Sequence, residues 1–434
     1  MRKIVVAGAG HGGLTAAYNL SKYGYDVTVI EKGKKEELGH DWHDAMDLSA
    51  FDFADIPRPE KDKYLPTMKS AYISPNEETI VEIPVVEERI YMDRKILYKY
   101  LIEQCEGVGV KFIFEKGVKG PITQGDKIKG VVTEDGEEFL ADLVIDACGM
   151  HSPVRRNLPE GCLIQKEIIE RDIFHVYRAY FKNTTGEKSN PPSIVSLFHM
   201  NRPGIGWIIC EDDYVDVLVG KFGMAGELTE EEIEADLADT RRLYPFIGEE
   251  IVRGGNRGDI PLRRMISKIV ADGYAAVGDS AGMTIPLNGS GIILSMKAGK
   301  ILADTVIKIG NLEYTTERLW SYQYEYYQDL AHWMVFIDVI KNFFVYIEGD
   351  HVSLLMKRKV LNAEKFAVVD GGPLGITPQF LAKVVAAMPH LAPIVPKFLM
   401  GMKGAPILPI VKRTMPKTYT EESYLRWAKV YNAV

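Results

Sequence analysis

The chain begins with the stretch KIVVAGAGHGG, residues 3–13, and this stretch decides the fold. The apolar residues 3–7 predict a short buried strand, and residues 12–23, GGLTAAYNLSKY, predict a helix that starts with small side chains. Residues 26–31, DVTVIE, predict a second strand. The N-terminus is therefore expected to form a strand–helix–strand unit with a glycine-rich turn.

The glycines of this turn have the spacing GxGxxG, and each has a mechanical role. Gly8 permits a tight turn, Gly10 lets backbone approach a pyrophosphate, and Gly13 lets helix and strand pack closely. The uncapped N–H groups of the helix attract phosphate oxygens. Glu31 ends the second strand, where it can accept hydrogen bonds from ribose hydroxyls, and Lys32 follows it. We predict a dinucleotide site; its N-terminal position favours FAD, whereas the motif alone also permits NAD or an empty glycine turn.

A second element, GDSAGMTIPLNGSGI, occupies residues 278–292 and fits the pattern GDxAGxxxPxxGxGI. Asp279 follows a predicted strand over 273–278, where its carboxylate can accept from ribityl hydroxyls. A helix predicted over 290–308 would point its N-terminus at the flavin and stabilise negative charge on it. The alternative is a glycine-rich loop without ligand. The cofactor-binding residues predicted here are Gly278, Asp279, Pro286, Gly289, Gly291 and Ile292.

Together these motifs resemble the para-hydroxybenzoate hydroxylase-like superfamily of FAD proteins, over about residues 1–330. The helix that begins Met92-Asp93-Arg94 is similar to the D-R-x-x-L element of that superfamily, which implies that Arg94 approaches FAD; a solvated helix arginine is the alternative. Residues 141–156, ADLVIDACGMHSPVRR, resemble another superfamily segment, which implies that Asp146 and Gly149 pass close to the nucleotide.

Within the superfamily, the chain most resembles the geranylgeranyl reductase group. Residues 203–209, PGIGWII, resemble its substrate-cavity segment P-x-x-Y-x-W-x-F-P, although Ile205 replaces the tyrosine and the final Phe-Pro is missing. Trp207 is thereby a pocket candidate, with core packing as the alternative. Many members place a cysteine in the loop after the ribose acid, but residues 39–44 read GHDWHD. In this loop His40 and His43 are candidate proton donors, and a structural role is their alternative.

The resemblance implies an FAD-dependent oxidoreductase that reduces C=C bonds of an isoprenoid or other lipid-like substrate by hydride transfer from reduced flavin. The alternatives are an FAD-dependent monooxygenase that uses NAD(P)H and dioxygen, and a non-redox role with structural FAD. FAD is expected to be non-covalent. No second GxGxxG unit is present, so we expect the electron donor to be transiently bound NAD(P)H or a redox protein. The sequence shows no metal-ligand spacing.

The expected fold class is α/β with three parts. A Rossmann-type, para-hydroxybenzoate hydroxylase-like FAD-binding domain is discontinuous over 1–70, 91–165 and 255–330. An antiparallel β-sheet substrate domain takes 71–90 and 166–254, with 40–90 rich in loops. A helical C-terminal region covers 331–434. Its apolar segments 332–347 and 377–411 are expected to line a lipid tunnel or to lie on a bilayer, with plain core or a dimer interface as the alternative.

Composition narrows the classes further. The 434 residues are 46% hydrophobic and 26% charged, and the four cysteines form no CxxC, which excludes a disordered chain, a multi-span membrane protein and a zinc ribbon. The net charge of −8 argues against nucleic acid as a partner. Residues 351–434 carry 12 Lys and Arg against 4 Asp and Glu. We expect a cytoplasmic protein whose basic end contacts the inner face of the membrane, or packs on its own acidic body.

Overall fold

The computed structural model describes residues 2–85, 88–344, 346–364, 394–401 and 404–434, with the single residues 366, 389 and 392. Much of the apolar segment predicted over 377–411 lies outside the described residues, so its predicted tunnel role stays a prediction.

The strands are β1 Lys3–Ala7, β2 Asp26–Ile30, β3 His43–Asp47, β4 Leu65–Pro66, β5 Ser70–Ile73, β6 Ile80–Ile83, β7 Arg89–Asp93, β8 Lys111–Ile113, β9 Val118–Gln124, β10 Lys127–Thr133, β11 Glu138–Leu140, β12 Leu143–Asp146, β13 Ile173–Asn183, β14 Ser193–Leu197, β15 Ile205–Cys210, β16 Tyr214–Phe222, β17 Ile247–Pro261, β18 Val270–Ala271 and β19 Tyr274–Ala276. The described helices are α1 His11–Lys22, α2 Ser49–Phe53, α3 Arg94–Gly107, α4 Pro153–Arg156, α5 Glu230–Leu243, α6 Ile292–Ile309, α7 Thr316–Tyr326, α8 His332–Phe344, α9 Gly349–Lys357, α10 Val395–Gly401, α11 Leu408–Thr414 and α12 Glu421–Asn432.

The predicted Rossmann-type unit is confirmed. Its six-stranded sheet has the order β18-β19-β12-β1-β2-β8, in which β1 runs parallel to both β2 and β12. Strand β1 is buried along four of its five residues, as its continuous apolar run requires between two helical layers. Because α1 and α6 follow the parallel strands β1 and β19, both helices begin at the carboxyl edge of this sheet.

Small residues let α1 lie against the sheet and against α6. A Cβ atom on Gly13 would come within 2.6 Å of the Ala147 Cβ, and one on Gly12 within 2.5 Å of the Val277 Cγ2. On the opposing helix, a Cβ atom on Gly299 would lie 2.2 Å from the Gly12 carbonyl oxygen. The packing thus fixes the N-termini of both helices relative to the strand ends.

A second, seven-stranded sheet has the order β17-β13-β16-β15-β14-β5-β6. The antiparallel prediction needs a correction, because β5 pairs with β14 in parallel. Strand β5 comes from the stretch 40–90, which was expected to be loop-rich and in fact contributes five strands, β3 to β7. The strands of the stretch 40–90 are short and separated by prolines. They are therefore too short to show an alternation of apolar and polar residues. Strand β17 runs on to Pro261, so the domain limit at 254 falls inside it.

The two faces of this sheet are covered by different elements. Helix α5 begins at a capping box, in which the Thr229 side chain and Glu232 satisfy each other's backbone N–H groups, and it packs on the outer face through Ile233. Helices α8 and α9 pack on the inner face, where Phe344 and Met356 join a core cluster with strand residues. The inner face is the one that adjoins the Rossmann-type unit.

The described part of the C-terminal region is helical, as predicted, and its last helix is anchored by aromatic residues. Tyr431 of α12 is fully buried and donates to the Met265 carbonyl oxygen at 2.5 Å, while the Trp427 indole donates to the Val411 carbonyl at 3.0 Å. Among the described residues no single helix is long and apolar enough to span a membrane; the bent pair 316–344 and 349–357 passes on length and composition only.

Candidate functional site

In the glycine turn after β1, the backbone at Gly8 and Gly10 carries no side chains and has no room for them. Gly8 has φ +85°, a conformation that side chains rarely adopt, and a Cβ atom there would lie 2.6 Å from the Ala147 carbonyl oxygen. A Cβ atom on Gly10 would lie 2.9 Å from the same oxygen. No side chain caps α1, so its first N–H groups face the turn without a side-chain partner. This geometry suits the diphosphate of a dinucleotide.

The carboxylate of Glu31 is fixed beside this turn. Its Oε2 accepts from the Ala9 N–H and its Oε1 accepts from the Gly33 N–H, each at 2.8 Å. A carboxylate has about four lone-pair positions, so both oxygens can still accept from ribose hydroxyls. Lys32 is exposed next to it.

Asp279 lies in the short turn Gly278–Ala281, directly after β19. It is half-buried, and its carboxylate forms no hydrogen bond within the described part of the chain, although its backbone carbonyl oxygen accepts from the Gly282 N–H at 3.1 Å. Burial raises its pKa, and the opposing Arg94 charge offsets only part of that effect. A partly desolvated carboxylate without a donor is costly, and the hydroxyl groups of a ribityl chain would supply donors.

The loop that follows folds back over Asp279. Pro286 is buried, Gly289 has φ +75°, and a Cβ atom on Gly291 would lie 3.5 Å from the Asp279 Oδ1. Helix α6 begins at Ile292, again without a side-chain cap. The two glycine-rich elements, which are far apart in sequence, therefore place two uncapped helix N-termini and two carboxylates at one edge of the sheet.

Arg94 is the first residue of α3, after the N-cap Asp93, whose carboxylate accepts from the Lys95 N–H at 2.7 Å. The Arg94 guanidinium is ion-paired with Asp44 and lies 5.6 Å from the centre of the Trp42 ring. It is half-buried and faces the site instead of being solvated. Its charge also acts on Asp279, which places it beside the predicted ribityl position.

Buried hydrogen bonds connect β12 and the segment after it to β19 and to the Asp279 turn. Asp146 is fully buried and accepts from the Ser152 hydroxyl at 2.6 Å and from the Tyr274 hydroxyl at 2.8 Å, so it holds β12 to β19. Arg155, also fully buried, donates to the Ser280 carbonyl oxygen at 2.5 Å and ties this segment to the Asp279 turn. Gly149 has φ +81° and open space where a side chain would lie.

The two loop histidines are held by the protein. His40 is exposed but stacks on Trp42 with ring centres 4.3 Å apart, and partial desolvation and then the Arg94 charge lower its pKa. The His43 Nε2 lies 3.3 Å from the Arg253 guanidinium, and burial and then that charge lower its pKa. Both are therefore neutral near pH 7, without the acidic proton of an imidazolium. This weighs against the proton-donor role predicted for them.

A buried ion chain connects this loop to the seven-stranded sheet. Arg178 is 3% exposed, forks onto both Asp216 oxygens at 2.8 and 2.5 Å, and lies 3.6 Å from Asp44. The Trp42 and Trp207 rings flank its guanidinium, with centres 5.5 and 5.1 Å away. Two cations, Arg178 and Arg94, thus face two carboxylates, Asp216 and Asp44, and their charges balance.

An apolar row leads away from Arg178 across the inner face of the sheet. Cross-strand pairing joins Leu218, Trp207, Val195, Tyr72 and Val81 in that order. Directly paired residues share a face, and the four strand spacings of about 4.8 Å between Leu218 and Val81 make this row roughly 19 Å long. At its far end a cavity of about 500 Å³ opens between β6 and α9. The row extends from the Arg178 end of the sheet to that cavity, and along it the Phe366 ring stacks on Tyr72 with ring centres 4.0 Å apart.

The sequence reasoning missed His11, which is the first residue of α1. Its ring packs on Tyr98 with centres 4.5 Å apart, and its Nε2 is buried without a hydrogen-bond partner among the residues that the structure describes. The signal that could have identified it is its position between Gly10 and Gly12. The GxGxxG motif does not specify the residue type there.

We expect that Asp279→Asn weakens FAD binding about tenfold but stabilises the ligand-free protein. Because folding raises the pKa of Asp279, its ionised form costs stability, and this cost appears as the pH rises above the ordinary value of 3.8. The neutral amide removes that cost. The melting temperature of the variant should exceed that of the ligand-free parent at pH 7 by about 1–2 °C, and the difference should disappear towards pH 4. A lower melting temperature at pH 7 would contradict this.

Two family models match this chain. The family model described as NAD(P)-binding Rossmann-like domain matches residues 6–46, and the FAD dependent oxidoreductase model matches residues 88–305, half of the chain.

Similar curated proteins carry the name digeranylgeranylglycerophospholipid reductase. The protein of Methanocaldococcus jannaschii is 29% identical over 341 residues, covering 74% of this chain and 83% of the relative. That of Sulfolobus acidocaldarius is 20% identical over 381 residues, covering 83% and 81%.

Among solved structures, a geranylgeranyl bacteriochlorophyll reductase-like protein from Thermoplasma acidophilum matches with a TM-score of 0.72 at 18% identity, covering 91% of this chain and 99% of that one. The flavin-dependent brominase Bmp2 matches with 0.64 at 17% identity, covering 90% and 98%. These likenesses show a common fold.

Proposed function

The chain belongs to the FAD dependent oxidoreductase family, and from this premise we propose that it reduces carbon–carbon double bonds of an isoprenoid lipid. The observation that carries the proposal is the apolar row from Leu218 to Val81, which lies between the Arg178 end of the sheet and the cavity at β6. The names of the curated relatives support the same substrate class.

The proposed cofactor is non-covalent FAD. The residues that would hold it are Gly8, Gly10, Gly13, Glu31, Lys32, Arg94, Gly149, Gly278, Asp279, Pro286, Gly289, Gly291 and Ile292. When bound and reduced, the flavin supplies the hydride. The bare backbone at Gly10 and the partnerless carboxylate of Asp279 fit this group. The N-terminus of α6 places a positive dipole end at the same edge, where it favours negative charge.

The row on the sheet would bind and orient the substrate. Its length of roughly 19 Å is comparable to that of an extended geranylgeranyl chain, and its side chains are apolar apart from the Tyr72 hydroxyl and the Trp207 indole. Leu218 and Met356 are buried, so helices and sheet exclude water from most of this path. Arg178 ends the row with its charge already paired to Asp216, so it does not repel an uncharged alkene.

We further propose that the electron donor is NAD(P)H or a redox protein that binds transiently, and that the protein contacts the inner face of the membrane. Exposed apolar side chains support the second point: Leu399 of α10 is 65% exposed and Ile410 of α11 is 47% exposed. Lys412 and Arg413 are exposed on the same segment as Ile410. Apolar and cationic side chains together suit an anionic lipid surface.

The test is reoxidation of the anaerobically reduced holoprotein, followed by flavin absorbance. We expect fast reoxidation by a geranylgeranyl phospholipid in anionic vesicles, slower reoxidation when the vesicles are neutral, and slow reaction with oxygen. The saturated lipid is the control. Equal rates in both vesicle types would contradict the membrane contact. If oxygen reoxidises the flavin rapidly and the alkene does not, the FAD-dependent monooxygenase that consumes NAD(P)H replaces the reductase.

A further inference from the structure

The side chain of His11 lies inside the glycine motif. It is the first residue of α1, between Gly10 and Gly12, whose positions allow no side chain without a clash. His11 therefore contributes the first side chain beside the uncapped helix N-terminus. Its backbone carbonyl is already used, because it accepts from the Thr15 hydroxyl at 2.8 Å.

The His11 ring is packed but incompletely bonded. One face contacts Tyr98, and the Nε2 atom is buried without a hydrogen-bond partner. A buried ring nitrogen without a hydrogen-bond partner destabilises the folded state, and no group in the described part of the chain offsets this cost. No group in the described residues bonds to this atom, and a ligand oxygen is the partner that would satisfy it.

The charges around His11 favour an anionic ligand. Burial is the largest cause that lowers the pKa of His11, to about 3, and the nearby Arg94 charge adds to this effect, so the imidazole is neutral and carries one N–H. The Arg94 cation and the positive end of the α1 dipole act at the same place. A diphosphate group would match these features and would accept from an imidazole N–H.

We propose that the imidazole of His11 binds the diphosphate of FAD directly, donating from Nε2, and that it is a determinant of cofactor affinity in this chain. The proposal rests on the FAD site proposed above. It adds a side chain to a motif that otherwise binds through backbone.

The test is the dissociation constant of FAD for His11→Phe, which keeps an aromatic ring against Tyr98 and removes both ring nitrogens. We expect it to rise about tenfold, and that of ADP, which carries the diphosphate without the flavin, to rise similarly. His11→Gln, which keeps an N–H donor, should recover part of the affinity. Because the variant removes a partnerless polar atom, the ligand-free His11→Phe protein should melt no lower than the parent.

The matched control is His332→Phe, a half-buried histidine on α8 that contributes nothing to the candidate site. It should leave FAD binding unchanged. Unchanged FAD affinity in His11→Phe would overturn the proposal, and so would weaker FAD binding with unchanged ADP binding, which would place the contact on the flavin half. If the parent protein itself binds no FAD, the proposed cofactor site fails instead.

Discussion

Gly10→Val should yield a folded protein without flavin. The variant side chain would enter the turn between β1 and α1, where only backbone lies, and would occupy the space that a diphosphate needs. A Cβ atom there already lies 2.9 Å from the Ala147 carbonyl oxygen, so the side chain can only point into the binding space. We expect the dissociation constant of FAD to rise by at least about 100-fold, which can be measured by titration of the ligand-free protein.

The control for this variant is Gly107→Val, at the end of α3. A Cβ atom there meets nothing within 4 Å, and the residue lies away from the glycine turn. It should bind FAD as the parent does. If purified Gly10→Val remains as yellow as the parent, the N-terminal motif is not the cofactor site.

Local signals made the cofactor half of the molecule predictable. The strand, turn and helix over 3–22 are contiguous in the sequence. The glycines that define the motif are also the residues that avoid steric clashes in the folded turn. The start of the helix at Asp93 and Arg94 was readable for the same reason, since the Asp93 side chain caps residues two and three positions further along the chain. In each case the partners are neighbours in the sequence.

Long-range pairing was not predictable. The parallel pairing of β5 with β14 joins Ala71 to Ile194 across more than a hundred residues. The sequence of neither strand identifies the strand with which it pairs. The ion chain from Asp216 to Arg94 has the same origin, because it joins residues from two sheets. A loop sequence likewise does not reveal that Arg253 approaches His43.

Val195→Trp should abolish most turnover of long-chain substrate while sparing short ones. Val195 lies in the middle of the apolar row, paired with Trp207 on one side and Tyr72 on the other. A bulky ring at this position blocks the path between the β6 cavity and the cofactor edge, yet it touches no residue of the proposed FAD site. We expect the rate constant for reoxidation of reduced flavin by a geranylgeranyl lipid to fall about 100-fold, which corresponds to about 2.7 kcal/mol. A five-carbon prenyl alkene, which need not occupy the row, should react in the variant as in the parent, and Val195→Leu should retain both activities. Equal losses for long and short alkenes would mean that the ring disturbs the fold or the cofactor, and unchanged turnover of the long chain would mean that the substrate follows another path.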